Sequence, residues 1–433
     1  MLNAAPPRSL VALLTLILLL TGCTKSQPME TSISLRNEPD YTRQLPSGQS
    51  ALRRIPDPAD WPDIESAYRA KDALLVSACD ESARWFEAPS SRRSFPLDEI
   101  THERAQASVL AMRALLAESS SSTSFRRDLE HMFDVYESVG WNGDGDVLFT
   151  GYFAPIFPAS RTPSERFGYP LYTRPADLVT DELTGQPYGR QLPDGTVTNY
   201  FTRKEIEETN LLEGQELVWL EDALSAYLIH VNGSAKLRMQ DGSIMYIGYA
   251  GKTDRPYASL GKAMIRARLV NESGMNLAAI RRIYRKNPEA VEQLMYENEN
   301  FVFFREYDGG VRPAGSLGVR VTSEASLATD KKIYPRGGIV MVDTRAITFA
   351  SGQRRFQRFM LDQDTGGAIQ APGRADIFMG IGPSAEILAG GQHAEGKLYY
   401  FFLKPEFVDQ TLAYHRRVAE ARTASVRGVQ GAP

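Results

Sequence analysis

The sequence predicts a mainly β chain with N-terminal helices, an α+β fold whose last third closes as a β-barrel. Three observations carry this. Apolar residues recur at helical spacing between positions 62 and 139. From about 157, Pro, Gly, Thr and Arg rise and the apolar runs shorten. In the last third, strand-like runs alternate with Gly-rich turns, and no helical pattern separates them, which argues against a parallel α/β sheet.

The elements follow in order. Leu10 to Leu20 is apolar apart from Thr15, with Arg8 before it. It is too short for the ~20 residues of a membrane helix, but it fits the core of a secretory signal. It ends in Leu20-Thr21-Gly22-Cys23, which resembles the lipobox of bacterial lipoproteins. That implies removal of residues 1–22 and acylation of Cys23, with several acyl chains giving a stable anchor. Thr24 in place of Asp favours the outer membrane, with the chain facing the periplasm. Residues 23–60 are polar, rich in Pro and aperiodic, and read as a tether.

Helices are predicted over 62–87, 97–118 and 125–139, the last stopped at Gly140. Asn142-Gly143-Asp144-Gly145 then turns the chain into a strand, Val147 to Phe153. Thr202-Arg203-Lys204-Glu205 has the form of a capping box, and 221–230 reads as another helix. Two strand-like runs flank Asp241-Gly242, a hairpin signal. Helices are expected at 258–269, 276–286 and 288–297, the last opened by Asn287-Pro288. Strands are expected at 301–305, 317–321, 338–342, 358–361, 375–380 and 398–403, with a loose tail over 416–433.

Composition bounds the function. The 433 residues are 42% hydrophobic and 24% charged, enough for two or three domains with a sizeable core. A net charge of −4 gives no reason to expect nucleic acid and suits an uncharged polysaccharide or a small molecule better. With Cys23 acylated, Cys79 is the only thiol and no intramolecular disulfide can form. Cys79 lies in an apolar helical stretch and reads as a buried, inert thiol. None of the five His has metal-ligand spacing, Ser234 lacks the Gly-x-Ser-x-Gly elbow, and Gly261-Lys262 is followed by Ala263 rather than Ser or Thr. No metal or other cofactor is therefore expected.

Carboxylates remain. On a strand, Asp376 shares a face with Phe378, while Ala375 and Ile377 face the other way. An Asp in apolar surroundings loses solvation, which favours its proton-bearing form, and a general acid near neutral pH needs that form. A turn or ion-pair role is the competing reading.

Asp364-Thr365-Gly366-Gly367-Ala368-Ile369, Arg374-Ala375-Asp376-Ile377-Phe378-Met379-Gly380-Ile381-Gly382 and Ala389-Gly390 resemble the C-terminal region of the membrane-bound lytic murein transglycosylase A family. This region is called the 3D domain for its three Asp, of which Asp330 is the first. Phe149-Thr150-Gly151-Tyr152-Phe153-Ala154-Pro155, Gly248-Tyr249-Ala250-Gly251-Lys252, Arg255-Pro256-Tyr257, Ser259-Leu260-Gly261 and Pro313-Ala314-Gly315-Ser316-Leu317-Gly318-Val319 follow in family order, and the likeness spans roughly 145–405. The departures are Phe153 for Tyr, Asn232-Gly233-Ser234-Ala235 in place of Gln-Gly-Ser-Gly, and a slightly longer gap between Asp364 and Asp376.

The resemblance implies a double-psi β-barrel interrupted by an inserted small β domain, with a glycan groove between them. The corresponding spans are 61–156 plus 299–415 for the barrel, with the 3D domain at about 316–405, and 157–298 for the insert. It implies cleavage of the β-1,4 bond between N-acetylmuramic acid and N-acetylglucosamine, leaving a 1,6-anhydromuramoyl end. It places Asp376 as the catalytic acid, then base; Asp364 is a second catalytic candidate, either to hold substrate hydroxyls or to keep the Asp376 proton in place through like charge. Tyr152, Thr150, Arg374 and Phe378 become glycan-contact candidates, with pairing to Asp364 the other reading of Arg374, and Asp330, ahead of a Pro-Arg-Gly turn, reads as structural. The implied partners are peptidoglycan strands, the outer membrane through Cys23, and the cell-wall synthesis machinery. A peptidoglycan hydrolase and a non-catalytic peptidoglycan-binding lipoprotein are the alternatives.

Overall fold

The computed structural model describes residues 38–430 except 182–184, 308–312 and 350–351, so the signal segment and Cys23 lie outside the described residues. From strand β1 (Leu52–Ile55) the chain passes through helices α1 (Ile64–Arg69), α2 (Ala73–Glu87), α3 (His102–Glu118) and α4 (Ser122–Met132) to β2 (Phe133–Ser138) and β3 (Val147–Ala154). The middle of the chain forms β4 (Ile156–Ser160), β5 (Tyr169–Tyr172), β6 (Leu178–Thr180), β7 (Pro187–Gln191) and β8 (Val197–Thr198). It continues with α5 (Arg203–Thr209), β9 (Glu216–Leu220), α6 (Ala223–Asn232), β10 (Ser234–Met239), β11 (Ile244–Lys252), α7 (Leu260–Arg266), α8 (Leu277–Lys286), α9 (Pro288–Met295) and β12 (Val302–Glu306). The last part holds β13 (Ser326–Ala328), β14 (Ile339–Thr348), β15 (Gly352–Asp364), β16 (Arg374–Ile381), α10 (Pro383–Gly391), β17 (His393–Leu403) and α11 (Pro405–Gln430).

Six strands from both ends of this span close a barrel in the order β17-β14-β15-β13-β16-β3, and β3 returns to β17. The β13–β15 and β16–β3 pairs are parallel and the others antiparallel. The long β17 carries β2 and then β1 as a ribbon outside the ring. Between the two barrel segments, a second sheet runs β12-β11-β10-β4-β9-β5, and a bridge from Thr173 to Phe304 joins its edges. The expected mixed, mostly β architecture with an inserted β unit is therefore present. The barrel core is Val, Ile, Met, Leu and Phe from the ring, sealed by the apolar faces of α1 to α4, while the second sheet has its own core against α6, α7 and α9.

Several elements differ from the sequence expectations. The helix expected over 62–87 breaks at Ala70–Asp72, because the Asp72 side chain accepts from the Leu75 amide and starts a new helix. The helix expected over 125–139 ends at Met132. Phe133 to Ser138 is a strand sandwiched between β1 and β17 and mostly buried, so its apolar run satisfied either period. Leu317 to Val321 forms no strand; Ala314 and Arg320 make an isolated bridge there. Helix α10 does separate β16 from β17, and α11 is helical to Gln430 where a loose tail was expected. Part of the expected tether is built into the sheet as β1, and β12 joins the inserted sheet, which thus runs to Glu306. Cys79 is fully buried in α2, and burial pushes its thiol up to about 12, as expected of an inert cysteine.

Candidate active site

The site lies where β3, β13, β15 and β16 meet in the barrel wall. In the parallel β16–β3 pair, Asp376 is level with Thr150 and Phe378 with Tyr152. Gly151 sits between the two β3 residues because helix α10 packs directly over it: a Cβ there would lie 2.8 Å from the Ala389 Cα. β13 flanks Asp376 on its other side through Ala328. The Asp376 side chain is 13% exposed.

Thr150 donates its hydroxyl to Oδ1 of Asp376, and the Arg374 Nε approaches the same oxygen at 3.3 Å. Arg374 also donates to Thr150 Oγ1 at 3.1 Å and to the Ala368 carbonyl at 3.4 Å, which ties the loop before β16 to the pair. Among the described residues nothing bonds to Oδ2 of Asp376.

The neighbouring aspartates are fully engaged. Asp364 accepts from the Ser316 and Thr365 amides on Oδ1, each at 2.8 Å, and from the Tyr152 hydroxyl on Oδ2 at 2.8 Å. Gly315 permits the first contact, since a Cβ there would lie 3.1 Å from the Asp364 Cγ. Burial raises the Asp364 carboxyl above its ordinary value, and these three donors oppose the rise. Burial and Asp364 in turn hold the Tyr152 phenol protonated, well above its usual range. Asp362 is wholly buried, paired with Lys331 and bonded by Thr329 at 2.8 Å and Tyr400 at 2.7 Å. Asp330 accepts from the Lys332 amide at 3.0 Å and the Ala371 amide at 2.9 Å. Both of its partners are backbone amides.

The residues singled out from the sequence therefore come together, with one redistribution. Phe378 is 2% exposed and packs with Ala154 and Val321, its ring 5.1 Å from that of Tyr152. It braces Tyr152 and offers no free face to a sugar, which corrects its expected place among the contact residues. Two further residues were not singled out: Tyr257, 40% exposed in the loop after β11 and within electrostatic reach of Arg374 and Asp376, and Lys252 at the end of β11. The only signal for them was their place in the middle-of-chain motifs. No group of three or more His, Cys, Asp and Glu suited to a metal ion exists among the described residues.

Comparison with known proteins is consistent along the chain. Residues 148–305 match the family model described as the MltA specific insert domain, and residues 325–402 match the 3D domain. A membrane-bound lytic murein transglycosylase A of Vibrio cholerae is 32% identical over 267 residues, covering 60% of this chain and 66% of that protein. The same-named protein of Escherichia coli K12 is 30% identical over 277 residues, covering 63% and 70%. The chain thus spans about two thirds of the length of these relatives. Among solved structures, a membrane-bound lytic murein transglycosylase from Agrobacterium tumefaciens superposes with a TM-score of 0.67 at 23% identity, covering 83% of this chain and 99% of that one. Escherichia coli MltA with bound chitohexaose gives 0.61 at 23% identity, covering 85% and 97%.

Proposed function

The chain belongs to the membrane-bound lytic murein transglycosylase A family, and from that premise we propose that it cleaves the β-1,4 bond between N-acetylmuramic acid and N-acetylglucosamine with formation of 1,6-anhydromuramoyl ends. We assign Asp376 as the one catalytic carboxyl. What supports this most is its free oxygen: Asp330, Asp362 and Asp364 spend both carboxyl oxygens on protein donors, whereas Asp376 keeps Oδ2 unengaged.

Hydrolytic glycosidases need a second carboxylate to activate water or to attack the sugar. Here the nucleophile is in the substrate. The muramoyl C6 hydroxyl reaches C1 intramolecularly, and its effective molarity replaces a positioned water. Protonated Asp376 donates from Oδ2 to the glycosidic oxygen, and the resulting carboxylate accepts the C6 proton as that oxygen closes on C1. Such acid–base help is worth roughly 10²–10⁴ in rate. Thr150 and Arg374 fix Oδ1 so that Oδ2 faces the glycan, and Arg374 stabilises the carboxylate between the two proton transfers. The Tyr152–Asp364 pair shapes the wall beside it. The acylated Cys23 would hold the enzyme at the outer membrane, facing the periplasm. No helix among the described residues is long and apolar enough to cross a membrane.

Mass spectrometry of the products from purified sacculi tests the reading. Muramoyl ends lacking one water support it. Reducing ends identify a hydrolase, and sacculus binding without soluble fragments identifies a binding lipoprotein.

A further inference from the structure

Among the described residues, two ammonium groups without an acidic partner lie within electrostatic reach of each other, and one of them sits beside the loop that leads into β16. Lys252 ends β11 of the inserted sheet, and its side chain lies against the loop between β15 and β16: a Cβ placed on Gly367 would be 3.7 Å from its Nζ. The next residue of that loop, Ala368, is the one whose carbonyl holds Arg374. Lys252 is therefore one loop residue removed from the Arg374–Asp376 pair. Lys332, exposed at the turn after Asp330, is close enough to repel it, and burial together with that repulsion pushes the Lys252 amine below its ordinary range.

Neither Nζ has a hydrogen bond or an ion pair among the described residues. The nearby aspartates bond other groups: Asp330 backbone amides, Asp364 Tyr152 and two amides, and Asp376, through Oδ1 alone, Thr150 and Arg374. A part-buried cation facing a like charge, with no counter-charge, is stabilised by an arriving anion. The two lysines come from different parts of the fold, Lys252 from the inserted sheet and Lys332 from the turn that follows barrel strand β13.

We propose that Lys252 and Lys332 form a carboxylate subsite that recognises the acidic group carried on the muramoyl lactyl arm of the substrate. The subsite rests on the reading that a glycan strand lies at Asp376. The lactyl ether ends in a free carboxylate on peptide-free strands. On peptide-bearing strands that group is an amide, and the carboxylates belong to the peptide. Both present the same chemistry, and a plain N-acetylglucosamine oligomer presents neither.

The test measures dissociation constants of the mature chain in an Asp376→Asn background, which prevents turnover. Three probes are used: chitohexaose, a peptide-free oligomer of alternating N-acetylmuramic acid and N-acetylglucosamine, and its peptide-bearing counterpart. Lys252→Gln weakens at least one muramoyl probe by about tenfold, while chitohexaose stays within about twofold. Lys252→Arg restores most of the loss, and Lys332→Gln produces a smaller loss of the same selectivity. A loss confined to the peptide-free probe identifies the lactyl acid as ligand, and one confined to the peptide-bearing probe identifies a peptide carboxylate. Equal loss on all three probes, or none on either muramoyl probe, overturns the subsite. Product analysis of the unmutated chain is run alongside: an absence of anhydro ends there refutes the transglycosylase reading without touching the binding selectivity.

Discussion

Thr150 and Asp376 stand level across a parallel strand pair, and the hydroxyl of the first donates to Oδ1 of the second, although 226 positions separate them in the sequence. The carboxyl is thus oriented by two barrel segments with the whole inserted unit between them. One oxygen is fixed by Thr150 and Arg374, and the other accepts no bond among the described residues.

Thr150→Val keeps the β-branched shape and removes the donor. The expected result is a fall in kcat of about tenfold on purified sacculi, with KM within about twofold and an unchanged melting temperature. Unaltered kcat would mean that Arg374 alone orients Asp376.

Asp364 carries a pH signature. Its folded carboxyl is raised above the ordinary 3.8, chiefly by burial. The stability tied to this group is full below 3.8 and is lost as pH rises through the raised folded value. Asp364→Asn cannot ionise, so the stability of the native chain relative to this variant falls across that window and then levels off. Urea unfolding at a series of pH values checks the sign, and a difference that grows with pH refutes it.

Lys331 and Asp362 form an ion pair with side chains 3% and 0% exposed. Lys331→Met strands the buried carboxylate, with an expected cost of about 3–5 kcal/mol in denaturant unfolding. Adding Asp362→Asn recovers part of that loss, because a neutral amide is far less costly to bury. Equal stability of both variants contradicts the pairing.

Cys79 has 0% exposure, and its thiol is pushed up to about 12. In a Cys23→Ser chain, a thiol reagent should label it only after denaturant is added. Rapid labelling of the folded chain would contradict its burial in α2.

The general outline of this fold was legible in the sequence, because turn chemistry is local. Asp241-Gly242 does join β10 to β11, with Gly242 at φ +83°, and Asn287 does cap α9. Elements decided by distant partners were not legible. Phe133 to Ser138 is a strand because β1 and β17 lie on either side of it, and its apolar run fitted a helix equally well. The Asp376 neighbourhood was legible through Thr150, Tyr152, Asp364 and Arg374, each of which lies inside a motif of the family likeness. The burial of Phe378 was hidden, since alternation along a strand gives a side chain's face but not what packs on that face. Lys252 was hidden too, because its role depends on a loop more than a hundred positions away.

Asp376→Asn tests the central assignment most directly. The substitution is isosteric and leaves an oxygen for Thr150 and Arg374 to bond, so the variant should fold and melt like the native chain. Incubated with purified sacculi and followed by mass spectrometry, it should release 1,6-anhydromuramoyl fragments at least about 10²-fold more slowly. Release at a near-native rate would contradict the assignment of Asp376 as the catalytic carboxyl.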